Sequence, residues 1–370
     1  MLIDSIDIYH VAMPLVYPFR TAFGDNDVIE SLLVRMGSGE TYGWGESAPW
    51  GAPGYSPEFA AGAFLVLRNF LAPNLIGKDL LTGVDLQKAM AHVKGNPFAK
   101  AALDLAWWDL HARIQGEPLW RIMGGARPDV DVGADFGVME SVDALLETMQ
   151  AALAAGFKRV KLKFRPGWDM DMLTAVRQRF PDAVIHIDCN SAYTLADLPM
   201  FKQVDTFGLA MIEQPLMHDD ILDHAALQAE LTTPICLDES ITSLDKTRQA
   251  IQVNACGWIN IKPGRVGGLT NAIAIHDLSE QAGIPCWVGG MLESAVGASH
   301  CLALATLPNF TYPADVFPSE RFYNPDLAEP PMALSAPSRM TASDSPGCGA
   351  EPDPARLELQ TLEHAVLPAP

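Results

Sequence analysis

The first 115 residues carry two successive patterns of apolar and polar positions. Three segments have the strand-like character of short apolar runs separated by Gly-bearing turns: 2–13, 29–36 and 41–47. Three later segments place apolar residues at helical spacing: about 57–73, 82–92 and 98–115. Strands followed by helices predict an α+β domain at the start of the chain.

From about residue 130 the pattern changes to short apolar runs that alternate with helical stretches. Eight such runs are present: 130–137, 159–164, 183–188, 209–215, 234–240, 257–263, 285–290 and 311–317. Strands separated by single helices are typical of a parallel (β/α)₈ barrel. The pattern therefore predicts a barrel, and we expect the Pro-, Ala- and Ser-rich remainder, about 325–370, to pack back on the first domain.

Five of the apolar runs carry an ionisable residue near their ends, at nearly equal intervals. The intervals are 25, 25, 25 and 24 residues, between Lys163, Asp188, Glu213, Asp238 and Lys262. One strand, one helix and two short loops account for such a period. We therefore expect these five side chains at the C-terminal ends of successive strands, where barrels of this type build their active sites.

Three of the five are carboxylates, and their convergence requires a counter-charge. Two like charges about 4 Å apart repel by about 4 kcal/mol at an effective dielectric of 20. Because the ligands in phase are all oxygens, Asp188, Glu213 and Asp238 predict a hard divalent cation, Mg²⁺ before Mn²⁺. We expect His186 to pack inside the barrel, and His218 and His224 to face solvent.

Two lysines flank the carboxylates, which points to proton transfer. Lys163 precedes them and Lys262 follows them, and Lys161 shares the inward face with Lys163. We expect burial and the neighbouring ammonium to lower the lysine pKa toward neutral pH. A metal-held carboxylate substrate beside such amines is arranged for abstraction of its α-proton. Two opposed bases permit racemisation, whereas one base that returns its proton to a departing hydroxyl permits β-elimination.

Composition narrows the class of protein further. With 370 residues, 49% hydrophobic and 19% charged, the chain can bury a core of two domains or of a barrel with an appendage. A net charge of −20 disfavours nucleic acids and anionic membranes as partners. Asp4 and Asp7 do not fit a secretory leader, and six cysteines without a C-x-x-C pair predict free thiols in a reducing cytoplasm.

The motifs around these residues resemble those of the enolase superfamily, muconate-lactonising subgroup. The segments that carry the resemblance are 161–163 (KLK), 188–190 (DCN), 212–215 (IEQP), 236–240 (CLDES) and 261–268 (IKPGRVGG). Three further segments are most similar to the o-succinylbenzoate synthase/N-succinylamino acid racemase branch: 164–169 (FRPGWD), 191–196 (SAYTLA) and 289–294 (GGMLES). The resemblance extends over nearly the whole chain.

The resemblance implies both an architecture and a set of roles. It implies an α/β fold: an N-terminal α+β capping domain (1–125), a modified (β/α)₇β TIM-type barrel (126–324) and a C-terminal segment (325–370) on the capping domain. It implies Mg²⁺ on Asp188, Glu213 and Asp238, acid/base roles for Lys163 and Lys262, and tuning by Lys161. The implied substrate is a small carboxylate, and relatives commonly form homo-oligomers.

The resemblance also suggests substrate contacts from the capping loops and the barrel rim. The candidates are Phe19, Phe23, Tyr55, Asn190, Arg265, Gly290, Met291 and Glu293. Asp135 is a further candidate, because relatives commonly carry a small hydroxyl residue there, and an extra acid would face the substrate. We expect an acidic chain to capture an anionic substrate locally, through a positive cluster of Mg²⁺, the three lysines and Arg265.

Other members of the superfamily remain as alternatives. Muconate cycloisomerase and dipeptide epimerase use the same machinery, but the epimerases place an Asp-x-Asp pair on the last strand, where this chain has only Asp315. A relative without catalysis that binds a metal or a carboxylate is the non-enzyme alternative. Two potential bases are not needed in a binding protein, so the sequence favours an enzyme.

Overall fold

The computed structural model describes residues 1–21 and 24–368. The chain begins with three antiparallel strands: β1 (Ser5–Thr21), β2 (Gly24–Ser38) and β3 (Thr41–Ser47). Four helices follow: α1 (Ala60–Val66), α2 (Gly83–Met90), α3 (Pro97–Gln115) and α4 (Leu119–Ile122). The predicted helix at about 57–73 is therefore shorter, and it continues as a π-helical turn at 67–71 and a 3₁₀ turn at 72–74.

Helix α3 packs directly on strand β3, and two glycines permit this close approach. A Cβ atom on Gly43 would lie 2.1 Å from the backbone nitrogen of Leu110, and one on Gly45 would lie 2.3 Å from that of Ala106. Both obstacles are helix backbone, which cannot turn aside as a side chain can. The α+β capping domain thus depends on the absence of side chains at these two positions.

A short strand, β4 (Asp129–Asp131), pairs antiparallel with residues 339–341 and precedes the barrel. The seven barrel strands are β5 (Ala134–Phe136), β6 (Arg159–Lys163), β7 (Val184–Asp188), β8 (Ile212–Glu213), β9 (Ile235–Leu237), β10 (Trp258–Ile261) and β11 (Cys286–Val288). Strands β5 to β11 pair in parallel, each with its sequence neighbours. The predicted strand order around the barrel is therefore confirmed.

Helices alternate with these strands and cover the outside of the sheet. They are α5 (Val142–Ala154), α6 (Met170–Arg179), α7 (Leu198–Val204), α8 (Leu222–Gln228), α9 (Leu244–Gln252), α10 (Pro263–Val266), α11 (Leu269–Gln281) and α12 (Ala295–Leu304). Within residues 1–21 and 24–368, none of the helices combines the length and the apolar character needed to cross a membrane.

The eighth apolar run closes the barrel without forming a regular strand. The amide of Thr311 donates to the carbonyl of Cys286 (3.2 Å) on the β11 side, and the amide of Gly133 donates to the carbonyl of Ala314 (3.1 Å) on the β5 side. Pro313 has no amide hydrogen to add to this ladder, which explains the irregular pairing. The α/β fold with seven regular parallel strands and a capping domain matches the predicted modified (β/α)₇β barrel.

The C-terminal segment returns to the capping domain. It contains β12 (Ala328–Glu329), β13 (Arg339–Thr341), β14 (Glu351–Pro352), α13 (Pro354–Gln360) and β15 (Thr361–Pro368). Strand β15 pairs antiparallel with β1 and forms the edge of the capping sheet, in the order β15-β1-β2-β3. The domain boundaries at 125 and 324 stay a prediction.

Candidate active site

The strand ends bring the five evenly spaced residues to one rim of the barrel. Lys163, Asp188 and Glu213 are the last residues of β6, β7 and β8, while Asp238 directly follows β9 and Lys262 directly follows β10. The register places Lys163 beside Asp188, and Asp188 beside Glu213. All five are buried.

Lys161 connects three carboxylates in the centre of this rim. Its Nζ lies 3.0 Å from Asp188 Oδ2, 2.9 Å from Glu213 Oε2 and 3.3 Å from Asp315 Oδ2. Burial lowers the pKa of the ammonium, but the attraction of these carboxylates is larger in sum and raises the pKa well above its ordinary value. Conversely, Lys161 and Lys163 overcome the effect of burial on Asp188 and hold its pKa below the ordinary range.

Lys163 points to the same carboxylate from the side of the cavity. Its Nζ donates to Asp188 Oδ2 (2.8 Å) and to Asn190 Oδ1 (2.9 Å). The amide of Asn190 in turn donates to Glu239 Oε1 (3.1 Å), so Asn190 connects Lys163 to a second acid. Burial, followed by repulsion from Asp188, raises the pKa of Glu239 to about 7.

Lys262 occupies the opposite side of the rim. Its Nζ donates to Asp238 Oδ2 (2.9 Å) and lies 4.5 Å from the centre of the Tyr55 ring. Burial lowers its pKa, yet the net direction is upward because of Tyr55, Glu239 and Glu213. The expectation that burial and a neighbouring ammonium depress the lysine pKa is therefore wrong for Lys161, where the attraction of the carboxylates outweighs burial.

Arg265 lies behind the rim, among the groups that hold Asp238. Its guanidinium forms an ion pair with Asp238 Oδ1 and donates to the carbonyl of Ile241 (2.8 Å). It also donates to the Tyr55 hydroxyl (3.0 Å), and that hydroxyl donates to Asp238 Oδ1 (3.0 Å). Arg265 thus positions the carboxylate and Tyr55, rather than lining the cavity as a direct substrate contact would.

One cavity between the capping domain and the barrel collects most of the predicted site residues. Nine of them line it: Phe19, Tyr55, Asp135, Lys161, Lys163, Asn190, Lys262, Gly290 and Met291. Glu293 lies behind the cavity, where its Oε2 accepts the Met291 amide (2.8 Å) and burial raises its pKa. Phe23 lies outside the described residues.

Four further residues line this cavity without having been predicted as site residues: Trp50, Leu292, Asp315 and Phe317. Asp315 is the most informative, because it is held by two cations. Arg159 Nη2 lies 2.6 Å from its Oδ1 and Lys161 lies on its Oδ2 side, and these cations lower the pKa of Asp315 against the effect of burial. The sequence signal that could have identified Asp315 as a site residue was its position in the eighth apolar run, 311–317.

Two histidine expectations had different outcomes. His186 packs inside the barrel as predicted, with Nδ1 3.1 Å from the Tyr312 hydroxyl, and burial lowers its pKa. The expectation that His224 faces solvent is wrong: it is fully buried, its Nε2 accepts the Leu216 amide (3.2 Å), and burial lowers its pKa to about 4.

The donor chemistry of the rim fits a hard divalent cation. Asp188, Glu213 and Asp238 offer carboxylate oxygens from adjacent strand ends, and Glu239 Oε2 is buried nearby without accepting a hydrogen bond. The lysines link these carboxylates, whose oxygens are less tightly clustered than those of one other group among the described residues. In that group, the ligand atoms of His276, Asp277 and Glu280 all lie within 4.8 Å of one another.

That other group does not fit a metal. His276 Nδ1 is 2.8 Å from Asp277 Oδ1, and its Nε2 accepts the Asn309 amide (2.9 Å). Both ring nitrogens are therefore engaged within the protein.

Comparisons with known proteins agree with this geometry. Residues 4–124 match the family described as mandelate racemase / muconate lactonizing enzyme, N-terminal domain, and residues 144–356 match the family described as enolase C-terminal domain-like. The chain is 44% identical over 329 residues to an N-succinylamino acid racemase of Thermus thermophilus, a match covering 89% of each chain. It is 42% identical over 360 residues to an o-succinylbenzoate synthase of Geobacillus kaustophilus, covering 97% of this chain and 96% of that protein.

Solved structures give the same result. A crystal structure of a member of the enolase superfamily from Listeria innocua superposes with a TM-score of 0.96 at 33% identity, and the match covers 100% of both chains. The chain therefore belongs to the mandelate racemase / muconate lactonizing enzyme family of the enolase superfamily.

Proposed function

We propose that this protein is a divalent-metal-dependent enzyme that removes the proton α to a substrate carboxylate, as an o-succinylbenzoate synthase, an N-succinylamino acid racemase or both. One observation carries the proposal: Lys163 and Lys262 both line one cavity and approach it from opposite sides of the carboxylates Asp188 and Asp238. The similarity to a racemase and to a synthase at 42–44% identity supports the same two activities.

Asp188, Glu213 and Asp238 would hold Mg²⁺, or Mn²⁺ in its place. Members of the enolase superfamily typically depend on a divalent metal. When bound, the cation stabilises the negative charge that develops on the substrate carboxylate. Lys161 would keep Asp188 and Glu213 ionised and oriented, since its ammonium contacts both.

The two reactions use the lysines differently. In racemisation, Lys163 and Lys262 work from opposite faces: one removes the α-proton and the other returns a proton to the same carbon. In the synthase reaction, Lys163 removes the α-proton and delivers it to the departing hydroxyl, while the Lys262 ammonium stabilises the developing charge. Asn190, which accepts from Lys163, would orient that amine toward the substrate.

Exchange of the α-proton with D₂O tests the assignment of the lysines. Lys163→Ala should abolish exchange for one enantiomer of an N-succinylamino acid, and Lys262→Ala should abolish it for the other. Lys202→Ala is the matched control, because Lys202 is exposed and pairs with Glu230 at the surface. Loss of all exchange in both site variants, with the fold intact, would refute the two-base assignment.

Removal of divalent metal tests the cofactor. Exhaustive EDTA treatment should abolish turnover, and added Mg²⁺ should restore it. Activity that survives the treatment contradicts a catalytic metal on the rim.

The alternatives are less well supported. Dipeptide epimerisation needs acids for the substrate ammonium, but Asp315 is already paired with Arg159 and Lys161. The relatives at 42–44% identity are a racemase and a synthase, which favours these activities over that of a muconate cycloisomerase. A relative without catalysis would have no use for two lysines in the cavity. Dehydration of the synthase precursor should be assayed beside racemisation of N-succinylamino acids.

Two predictions about the protein's environment accompany the proposal. A cytoplasmic location follows from the six cysteines, which are all free and buried. Assembly as a homo-oligomer follows from the resemblance, and size-exclusion chromatography with light scattering tests it.

A further inference from the structure

A second cavity continues outward from the candidate active site. The two cavities share Phe19 and Asp135 in their walls. The second one, called here the outer groove, lies between the end of strand β1 and the segment that leads from β5 into α5. Its walls are mainly apolar, with Tyr17, Phe19, Phe136, Val138, Met139 and Phe322 among them. A ligand that fills the active-site cavity can therefore extend past Asp135 into an apolar channel.

Arg321 is a cation in this groove without an acidic partner. Its Nη2 donates to the backbone carbonyl of Asp135. In the part of the chain that the structure describes, no carboxylate oxygen lies within 4.0 Å of the guanidinium. Its Nε is buried and has no hydrogen-bond partner. Arg20, the other arginine of the groove, instead pairs with Asp25 (3.5 Å).

Aromatic rings surround the Arg321 guanidinium. Its central carbon lies 5.8 Å from the ring centre of Phe136, 5.6 Å from that of Phe317 and 5.4 Å from that of Phe322. The rings fix the cation and limit its hydration, so an anion that reaches it there gains a stronger interaction than in open water. A planar guanidinium with free N–H donors matches a carboxylate.

We propose that the outer groove binds the acyl arm of the substrate and that Arg321 pairs with a carboxylate at the far end of that arm. This inference rests on the proposed function. The substrates of both proposed reactions carry a second carboxylate at the end of a short succinyl arm, so one subsite built on Arg321 would serve both.

The order of charges along the two cavities supports this orientation. Lys161, Lys163 and Lys262 line only the inner cavity, and Asp135 lines both. The outer groove adds Arg20, Glu140 and Arg321, and of its two arginines Arg20 already pairs with Asp25. A ligand with one carboxylate at each end avoids Asp135 and reaches a cation at both ends. A ligand with a neutral arm would leave the Arg321 guanidinium desolvated without an anion.

The test compares two substrates that differ only in the terminal charge. An N-succinylamino acid and its N-succinamoyl analogue have arms of the same length, ending in a carboxylate and a neutral amide. The wild-type enzyme should turn over the succinyl substrate with kcat/KM about ten- to hundred-fold higher, which is the range expected for a charge-assisted hydrogen bond. Arg321→Gln should remove this selectivity by lowering kcat/KM for the succinyl substrate, and Arg321→Lys should restore part of it.

Arg248→Gln is the control for long-range charge. It removes one positive charge from an exposed side chain on α9 that pairs only loosely with Asp245 (3.7 Å), so the selectivity should not change. An equal loss for both substrates in Arg321→Gln would overturn the proposal, because it would show that Arg321 acts only by holding the Asp135 backbone. A wild-type enzyme that turns over both substrates equally would overturn it without any variant.

Failure of the proposed function gives a different result. If the wild-type protein neither racemises nor exchanges the α-proton of any N-acylamino acid and does not dehydrate the synthase precursor, the function is wrong. Calorimetric titration with N-succinylglycine and N-succinamoylglycine then tests the groove alone. Binding that is about tenfold or more tighter for the dicarboxylate supports the Arg321 subsite, and equal binding refutes it.

Discussion

Glu46 provides a test of how the capping domain is joined to the barrel. This buried side chain on β3 reaches the first turn of α12. Its Oε1 accepts from the Ser31 hydroxyl (3.0 Å) and the Ser294 amide (3.0 Å), and its Oε2 accepts from the Ser294 hydroxyl (2.5 Å) and the Gly297 amide (3.0 Å). A single carboxylate therefore links the capping sheet to the helix N-terminus beside the active-site cavity.

Burial nevertheless makes ionisation of Glu46 costly. It raises the pKa from an ordinary value of 4.5 to about 7, against the opposing effect of the Ser294 and Gly297 hydrogen bonds. The folded state then holds the proton more tightly than the unfolded state. The resulting stability is fully present below pH 4.5 and is lost as the pH rises to 7, in total about 3 kcal/mol. Most of this loss, about 2–3 kcal/mol, falls between pH 5 and 8.

Urea unfolding of the wild type and of Glu46→Gln, at pH 5 and at pH 8, measures this contribution. At pH 5 the variant should be less stable by about 1–3 kcal/mol, because one amide hydrogen of Gln faces the Gly297 amide and leaves a buried donor unpaired. At pH 8 the difference should move by about 2–3 kcal/mol in favour of the variant. Taking the difference between the two proteins cancels other buried acids, such as Glu58, whose pKa burial also raises to about 7.

Parallel pH profiles for the two proteins would refute this reasoning. They would show that the four donors keep Glu46 ionised in the folded state and that hydrogen bonding outweighs burial.

Three other substitutions test separate parts of the molecule. Gly45→Ala should lower the free energy of unfolding by about 3 kcal/mol, because the new methyl group meets the backbone of α3; urea unfolding measures it. Arg159→Met should cost about 3 kcal/mol in the same assay, since Asp315 loses its 2.6 Å partner. Tyr55→Phe should lower kcat/KM about tenfold with little change in thermal midpoint, because Asp238 loses a hydrogen bond of the kind worth about 1.5 kcal/mol; an unchanged kcat/KM contradicts the role of this hydroxyl.

Much of the barrel could be predicted because ionisable residues recur along the chain with the period of its strand and helix units. Intervals of 24 and 25 residues reflect repeated strand and helix units, so Lys163, Asp188, Glu213, Asp238 and Lys262 fall at successive strand ends as expected. The alternation of apolar runs and helices was sufficient for the fold. The resemblance to the enolase superfamily is confirmed by the family matches.

The missed features depend on contacts between residues distant in sequence. Arg159 and Asp315 are 156 residues apart, and only barrel closure brings them together. His224 is different: the Leu216 amide that donates to its ring is only eight residues away, but no periodic pattern marks this contact. The contacts of the Arg265 guanidinium with Asp238 and the Ile241 carbonyl likewise join separate strand ends, and its contact with the substrate stays a prediction.

The charges of the site show what the expected positive cluster requires. That cluster was expected to include Mg²⁺, and the protein's own buried carboxyl groups outnumber its cations around the cavity among the described residues. Six carboxyls stand there against five cations: Asp135, Asp188, Glu213, Asp238, Glu239 and Asp315 against Arg159, Lys161, Lys163, Lys262 and Arg265. Arg159, Lys161 and Arg265 each pair with at least one of these carboxylates, and so do the two cavity lysines, Lys163 and Lys262.

This balance explains why an anionic substrate needs more than the lysines. A protein with a net charge of −20 offers no long-range attraction, and the rim itself carries no formal excess of positive charge. A divalent cation on Asp188, Glu213 and Asp238 would supply the missing charge for the reacting carboxylate. A second carboxylate on the substrate would require a further cation. The Arg321 guanidinium in the outer groove is such a cation, and it forms no ion pair with an acid among the described residues. Under the proposed function, capture of a dicarboxylate would depend on one cation at each end of the cavity, and selectivity between charged and neutral arms measures the outer one directly.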